Sequence, residues 1–196
     1  WPTDGHERLY YSLPAYDLKL AFYPTDFTQV NPALNRQMLQ QALNLLQLTP
    51  QDHVLDLFCG LGNFTLPMAK FAGTVTGIEG SEAMVQRGYE NAKLNNITNV
   101  TFMAADLTKD QSSAIWAQQN YTKVLLDPPR SGAAEILPLI DKLGAQMILY
   151  VSCNPATLAR DSGILARQYG YKMQSVGIMD MFPHTTHVEA MALFVR

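Results

Sequence analysis

The sequence has few cysteines, and this scarcity excludes two kinds of protein. Its 196 residues include two cysteines, Cys59 and Cys153, each at the end of an apolar run. Two cysteines are too few for the disulfide framework of a small secreted domain, or for the four thiolates that hold an iron–sulfur cluster. We therefore predict free thiols, a reducing compartment and thus a cytoplasmic protein, and no iron–sulfur cluster within these residues.

Long apolar runs and an excess of positive charge are also lacking. No apolar run approaches the roughly 18 residues of a membrane-spanning helix, and the first residues, WPTDGHERLYYS, lack the basic and apolar regions of a signal peptide. We expect no membrane association and, since the chain begins with Trp1, a processed chain or a fragment. The formal net charge is −3, whereas domains dedicated to nucleic acid are usually basic. Binding to RNA would therefore need a local patch or a further domain.

Apolar runs alternate with helical patterns from residue 53 onward. Seven runs are predicted strands: HVLDLF, TVTGIE, VTFMAAD, KVLLD, QMILYV, KMQSVGIMDMF and HVEAMALFVR. Helical patterns follow the first, second, fourth and fifth of these runs, and no helix separates the last two. This order predicts an α/β protein with a Rossmann-like, mostly parallel seven-stranded sheet, helices on both faces and an antiparallel edge made by the two closing strands.

The first 30 residues have a different pattern. RLYYSL and LKLAFY, separated by PAYD, predict a β-hairpin, and Asn31 and Pro32 then mark the start of a helix. We assign residues 1–30 to a hairpin left from a preceding domain and residues 31–196 to the main domain.

Glycines and acids follow the first three strands of the predicted sheet, at the edge where ligands of such sheets bind. In DLFCGLGNF, Gly60 and Gly62 allow a tight turn and close approach of a ligand, while Thr65 stands where a dinucleotide fingerprint has its third glycine. Glu79 is placed to bind ribose hydroxyls, and Asp106 to accept from an exocyclic amine. One acid per strand end suits S-adenosylmethionine better than NAD, whose pyrophosphate favours the third glycine. The alternative is that these are turn and cap residues.

The fourth and fifth strands end in two further motifs. In LLDPPRSGA, two prolines predict a rigid corner that holds Asp127 at the rim of the cleft. DPP resembles the DPPY loop of amino-methyltransferases, although Arg130 replaces the aromatic residue. Cys153 precedes Asn154, a helix cap, so the helix dipole would favour a thiolate. A lone cysteine here is more often a core residue, but the neighbouring Asp127, Arg130 and Asn154 favour a nucleophile.

Five motifs together resemble the RNA uracil-C5 methyltransferases, and most closely the type that modifies 23S ribosomal RNA. The motifs are DFTQVNP, DLFCGLGNF, LLDPPRSG, YVSCNPATLARD and DMFPHTTHVEA. The resemblance covers residue 16 to the C-terminus and implies the catalytic domain of a class I S-adenosylmethionine-dependent methyltransferase. Full-length relatives also carry an N-terminal RNA-binding β-barrel domain and, in some, an iron–sulfur cluster; neither fits within these residues.

The resemblance implies a role for particular residues. Cys153 would add to C6 of uracil, and Glu189 would remove the C5 proton after methyl transfer; without the motif, Glu189 reads as a solvent-facing carboxylate. The cofactor S-adenosylmethionine would be released as S-adenosylhomocysteine. The residues expected to contact it are Gln29, Phe58, Gly60, Asn63, Glu79, Asp106 and Asp127. Gly60 is included because of the glycine pattern, and the other six because of the resemblance. We assign Arg130, Asn154 and His184 to the substrate. His184 and His187 lack a third metal ligand, so we predict no metal site.

The predicted partner is RNA, specifically 23S ribosomal RNA, with its target uridine flipped out of the stack. Because phosphate contacts dominate RNA affinity and this chain is mildly acidic, the missing RNA-binding domain should matter greatly. One rival is an RNA cytosine-C5 methyltransferase, in which a second cysteine often occupies the position of Arg130. Another rival is a non-catalytic S-adenosylmethionine-binding module, which would need neither Cys153 nor Glu189.

Overall fold

The computed structural model describes residues 8–181, 184–185 and 188–196. A hairpin of β1 and β2 precedes a seven-stranded sheet. The strands are β1 Leu9–Leu13, β2 Leu18–Phe22, β3 His53–Leu57, β4 Thr74–Glu79, β5 Val100–Ala104, β6 Lys123–Leu126, β7 Met147–Ser152, β8 Lys172–Met179 and β9 Glu189–Val195. The helices are α1 Pro32–Leu46, α2 Thr65–Ala69, α3 Glu82–Leu94, α4 Leu137–Lys142 and α5 Pro155–Gln168.

The strand order of the large sheet is β5-β4-β3-β6-β7-β9-β8. Strands β3 to β7 are parallel, whereas β9 pairs antiparallel with both β7 and β8. The predicted seven-stranded, mostly parallel sheet and its preceding hairpin are thereby confirmed. The last strand in sequence is inserted one place from the edge, which leaves β8 as the edge strand.

The burial of β9 differs from what its sequence pattern suggests. Alternation at Val188, Ala190, Ala192 and Phe194 suggests a strand with one buried face, but every residue from Glu189 to Phe194 is buried. An inner strand covered on both faces reads as a continuous apolar run. The edge strand β8 is exposed along almost its whole length, because only β9 pairs with it.

Two apolar cores lie on opposite faces of the sheet. One contains hairpin and α1 side chains, including Leu20 and Leu39, packed against Val54 of β3. The other contains α4 and α5 side chains and Leu55 of the same strand. Successive residues of a strand point to opposite faces, so β3 contributes to both cores. Because β3 lies between β4 and β6, its carboxyl end is near the middle of the row of strand ends. The loop that follows β3, residues 58–64, is called the glycine loop.

Polar caps begin three of the helices. The side chains of Asn31, Ser81 and Asn154 accept hydrogen bonds from backbone N–H groups in the first turns of α1, α3 and α5, as side-chain oxygens do at N-caps. The Asn31 cap and Pro32 start confirm the predicted beginning of α1. The helices predicted over 64–71 and 134–143 are shorter than expected, at Thr65–Ala69 and Leu137–Lys142.

The hairpin is attached to α3 by two asparagine side chains. Asn91 is fully buried, and its amide group accepts from the Ala21 N–H at 2.7 Å and donates to the Ala21 carbonyl at 3.1 Å. Asn95 makes the same pair of bonds to Lys19, at 2.9 and 2.8 Å. These amides replace the backbone partners of a further strand. The boundary that we predict at residue 30 stays a prediction, but hairpin and helices share one core.

Within the residues that the structure describes, no helix combines the length and the apolar character needed to cross a membrane.

Candidate active site

A cavity of about 930 Å³ opens at the carboxyl ends of the parallel strands. Its walls come from the segment before α1, from the loops after β3 to β7 and from the first residue of β9. The structure brings ten predicted site residues together around it: Gln29, Phe58, Gly60, Asn63, Glu79, Asp106, Asp127, Arg130, Cys153 and Glu189. Asn154 and His184 do not line it.

The glycine loop begins with a residue in the left-handed region. Phe58 has φ 66°, although the sequence pattern places it in the strand, and the N–H groups of Phe58 and Cys59 both donate to the Ile78 carbonyl. A non-glycine residue with positive φ is uncommon and clusters at functional sites. Gly60 has φ 55°, and a Cβ atom there would meet no neighbour within 4 Å. The loop therefore presents open backbone to the cavity.

Glu79 joins the glycine loop to the start of α3. Its carboxylate accepts from the Gly60 N–H at 3.0 Å and from the Ser81 N–H at 3.0 Å. These two bonds fix the side chain at the end of β4. A carboxylate so held at the end of the second parallel strand has the position that binds ribose hydroxyls in nucleotide folds of this class.

Asn63 is held by two side chains. Its Oδ1 accepts from the Tyr11 hydroxyl at 2.9 Å and from Asn35 Nδ2 at 3.0 Å, and its Nδ2 donates to Asn35 Oδ1 at 2.9 Å. Burial raises the pKa of Tyr11, so its hydroxyl stays a donor. One N–H of the Asn63 amide is left for a ligand, because an amide nitrogen carries two.

Asp106 lies at the opposite side of the cavity and is exposed. Its Oδ1 accepts from the Thr108 hydroxyl at 2.6 Å, and Lys109 Nζ lies 3.1 Å from its Oδ2. The Thr108 hydrogen bonds lower the pKa of Asp106. The carboxylate is therefore an ionised acceptor at the rim.

Cys153 and Glu189 lie next to each other at one end of the cavity. The antiparallel register pairs Ser152 with Ala190, and one further step along both chains reaches Cys153 and Glu189. Residues opposite each other in an antiparallel pair have Cβ atoms about 5 Å apart. Glu189 is buried, at 6% exposure, and this burial raises its pKa.

The charge around Cys153 differs from the expectation of a stabilised thiolate. Burial raises the pKa of the thiol, the carboxyls of Glu189 and Asp127 raise it further, and Arg130 lowers it. The residue precedes the cap Asn154, so it lies outside α5 and gains less from the dipole than two nearby carboxyls remove. The pKa of Asp127 is itself raised to about 8 by desolvation, and then by the charges of Glu189 and Asp56.

Asn154 caps α5, as predicted, and also contacts the loop after β6, while its role towards the substrate stays a prediction. Its Oδ1 accepts from the Ala156 N–H at 3.2 Å and its Nδ2 donates to the Arg130 carbonyl at 2.9 Å. This side chain ties two loops together. His184 is exposed, with φ 67°, and His187 lies outside the described residues. Within the described residues, no group of three potential ligands could hold a metal ion.

Two further residues lie near the cavity, and only Tyr11 is absent from the candidates that the sequence offers, because Asp56 stands close to the end of the first predicted strand. Tyr11 of the hairpin lines the cavity, and only the positions of aromatics within a short strand hinted at it. Asp56 is fully buried beneath the glycine loop, with Oδ2 accepting from the Thr65 hydroxyl at 2.6 Å and Oδ1 without a partner. An acid in the middle of an apolar run was the signal for Asp56.

Comparison with known proteins identifies the family of the chain. The sequence profile of the tRNA (Uracil-5-)-methyltransferase family matches residues 11–196, which is nearly the whole chain. The chain belongs to this family. The match includes the loops that carry Cys153 and Glu189.

Two relatives in the tRNA (uracil-5-)-methyltransferase family are similar over the whole chain. Both carry the name 23S rRNA (uracil(1939)-C(5))-methyltransferase RlmD. The protein of Alcanivorax borkumensis is 58% identical over 196 residues, and that of Hahella chejuensis is 60% identical over 200 residues. The chain spans 44% and 45% of the length of these two relatives.

A solved structure from the same family shows the same fold. The tRNA (uracil-54, C5)-methyltransferase of Pyrococcus abyssi, in complex with S-adenosyl-L-homocysteine, superposes with a TM-score of 0.82 at 28% identity, over 96% of this chain and 44% of that one. The fold is that of class I S-adenosylmethionine-dependent methyltransferases, as predicted.

Proposed function

We propose that this chain is the catalytic part of an S-adenosylmethionine-dependent RNA methyltransferase that methylates C5 of a uridine in 23S ribosomal RNA. The observation that carries the proposal is the adjacency of Cys153 and Glu189 in the same cavity as the glycine loop. A binding module would need neither group. The names of the two bacterial relatives support 23S ribosomal RNA as the substrate.

The cavity fits the proposed cofactor. Gly60 leaves open space beside its backbone, Glu79 is fixed where a ribose would lie, and Asp106 is an acceptor at the rim. S-adenosylmethionine would supply a methyl group activated by a sulfonium centre. Gln29, Phe58, Asn63 and Asp127 would complete its binding site. The product complex of the Pyrococcus abyssi relative supports this assignment.

Cys153 would act as the nucleophile. C5 of uracil is a weak nucleophile, but addition of the sulfur to C6 moves electron density to C5, which then attacks the methyl group. Because the pKa of the thiol is raised, the Cys153 proton must leave before or during addition. Glu189 and Asp127, whose pKa values are also raised, are close enough to influence the thiol electrostatically.

Glu189 would be the base that completes the reaction. After methyl transfer, C5 carries both a proton and the new methyl group. Removal of that proton by Glu189 restores the double bond between C5 and C6 and expels the Cys153 sulfur. A carboxylate with a raised pKa is a stronger base once ionised, and the burial that raises the pKa of Glu189 supports this role.

RNA recognition would depend largely on residues outside this chain. A uridine must leave its stack to reach a group inside the cavity. Arg130 is exposed at the rim and would be one contact to the RNA backbone, whereas the chain as a whole carries a net charge of −3. Since the relatives are about twice as long, we place the main phosphate contacts in their additional residues.

The proposal is tested by supplying labelled S-adenosylmethionine and unmodified 23S ribosomal RNA to the protein and digesting the product to nucleosides. We expect label in 5-methyluridine, and Cys153→Ala should abolish both transfer and the covalent trapping of RNA that contains 5-fluorouridine. Label in 5-methylcytidine would support the cytosine rival instead. Cofactor binding without transfer would support the binding module, and normal turnover by Cys153→Ala would refute the nucleophile.

A further inference from the structure

Helix α5 holds the backbone of the loop that carries Arg130. The Arg130 carbonyl accepts from Asn154 Nδ2 at 2.9 Å and from the Thr157 hydroxyl at 3.3 Å. The Ser131 carbonyl accepts from Arg160 Nη2 at 2.8 Å. Two successive carbonyls of the loop are thus bound by side chains from one face of α5, the helix that begins two residues after Cys153.

Asp161 connects this loop to the strand that carries Cys153. The residue is fully buried, and its Oδ2 accepts from the Ala133 N–H at 2.8 Å and from the Tyr150 hydroxyl at 2.6 Å. Its Oδ1 accepts from Arg160 Nε at 2.8 Å. Tyr150 lies in β7, three residues before Cys153. One carboxylate therefore links β7, α5 and the loop after β6.

Gly132 allows the loop to approach this carboxylate closely. Its φ is 84°, and a Cβ atom there would lie 2.6 Å from Asp161 Oδ2 and 2.5 Å from Arg160 Nη2. Such distances are too short for any side chain, so only glycine permits this packing. The loop and α5 are fitted to each other over residues 130–133.

We propose that Asp161 is a positioning residue that holds Arg130 at a fixed distance from the thiol of Cys153 and so sets the reactivity of that thiol. Arg130 and Cys153 line the same cavity, where the Arg130 cation favours the thiolate. The position of Arg130 depends on a loop whose backbone is anchored by side chains of Asn154 and α5. Three buried or half-buried bonds converge on the Asp161 carboxylate, and a rigid supporting shell of this kind preserves the geometry of a reactive group. The inference concerns Cys153 as a thiol, and only its consequence for catalysis rests on the proposed function.

The test measures alkylation of Cys153 by iodoacetamide as a function of pH in the whole protein, by mass spectrometry of the peptide that contains Cys153. We expect Asp161→Asn to slow alkylation at neutral pH about three- to tenfold, because one unit in thiol pKa changes the thiolate fraction tenfold. Arg130→Gln should slow it by a similar factor. The double variant should be no slower than Arg130→Gln alone, since Asp161 acts through Arg130.

Controls separate this role from a general loss of structure. Ser162→Ala removes a hydrogen bond within α5, to the Leu158 carbonyl, without touching the loop, and should alkylate like the unmodified protein. If Asp161→Asn does not fold, Thr157→Val decides, because it removes the hydroxyl that is shared between the Arg130 carbonyl at 3.3 Å and the Asn154 carbonyl at 3.0 Å, and it should slow alkylation about twofold. The proposal would be overturned if Asp161→Asn slowed alkylation of Cys153 by the same factor in the unmodified protein and in the Arg130→Gln variant. It would also be overturned if Thr157→Val alkylated at the same rate as Ser162→Ala. No RNA or cofactor is present, so the result is independent of the proposed methyl transfer.

Discussion

At the scale of single residues, the decisive feature is the charge that surrounds Cys153. After burial, the carboxyl of Glu189 is the largest influence that raises the pKa of this thiol. Replacing Glu189 with glutamine removes the charge but keeps the shape. We expect Glu189→Gln to alkylate at Cys153 about three- to tenfold faster at pH 7, because the pKa of the thiol falls when the opposing carboxylate charge is removed, and to lose release of the C5 proton. Alkylation by iodoacetamide and tritium release from C5-labelled RNA measure the two effects.

A matched control for Glu189→Gln is Asp106→Asn. Asp106 is an exposed carboxylate in the same cavity, but it is not among the charges that act on Cys153. Its replacement should leave the alkylation rate of Cys153 unchanged. Slower alkylation of Glu189→Gln would contradict the electrostatic account, and unimpaired proton release would refute Glu189 as the base.

For single residues, the sequence predicts position better than it predicts electrostatic surroundings. The order of strand ends placed Glu79, Asp106, Asp127 and Cys153 around one cavity. It misjudged the Cys153 environment, because the helix dipole is visible in the sequence whereas the opposing Glu189 comes from a strand 36 residues away. The bond from Asn154 to the Arg130 carbonyl is hidden in the sequence for the same reason, because the two residues are close only in the folded chain; the contact of Asn154 with the substrate stays a prediction.

At the scale of elements, the hairpin forms part of the cavity in which we propose that the cofactor binds. Tyr11 in β1 donates to Asn63, so the hairpin fixes a residue of the glycine loop. We expect Tyr11→Phe to raise the dissociation constant of S-adenosylhomocysteine about fivefold, since one hydrogen bond contributes about 1 kcal/mol. Isothermal titration calorimetry measures it.

The neighbouring tyrosine provides the control for Tyr11→Phe. Tyr10 is on the other face of β1, 51% exposed, and Tyr10→Phe should bind the product as the unmodified protein does. Equal affinities for the two variants would show that the hairpin is only a structural support. The sequence predicted the hairpin itself, but the bonds from Asn91 and Asn95 that dock it on α3 could not be read from periodicity, because they join positions about 70 residues apart.

At the scale of the whole molecule, the sequence pattern predicts the parallel part of the sheet more completely than it predicts the order of the strands at the antiparallel edge. Five apolar runs, separated by helices in all but one case, leave a parallel sheet as the simplest arrangement, because each crossover helix must cover a face. The insertion of β9 between β7 and β8 depends on which of the two closing strands is apolar enough to be covered on both faces. In the structure β8 is exposed and the Glu189–Phe194 segment is wholly buried. The sequence predicts this order only when the two strands are compared with each other.

Buried acids give the whole fold an unusual dependence on pH. Burial raises the pKa of Asp56 from 3.8 to about 7 and that of Asp127 from 3.8 to about 8. Between about pH 4 and these values the folded protein binds protons that the unfolded chain has released, so the free energy of unfolding falls as pH rises, by up to about 1.4 kcal/mol per pH unit for each group. Above about pH 8 this loss is complete.

Asp56→Asn removes the Asp56 contribution to this fall in the free energy of unfolding, because the asparagine amide cannot ionise. We expect urea denaturation to give a variant that is more stable than the unmodified protein at pH 8, by about 4 kcal/mol, with the difference falling to about 1.5 kcal/mol near pH 5 and towards zero below about pH 4. The exposed turn residue Asp17 is the control, and Asp17→Asn should keep the slope of the unmodified protein. A difference between Asp56→Asn and the unmodified protein that stays constant from pH 5 to pH 8 would mean that Asp56 is ionised throughout. Its Oδ1, which has no partner, would then be a buried charge that the fold tolerates at every pH.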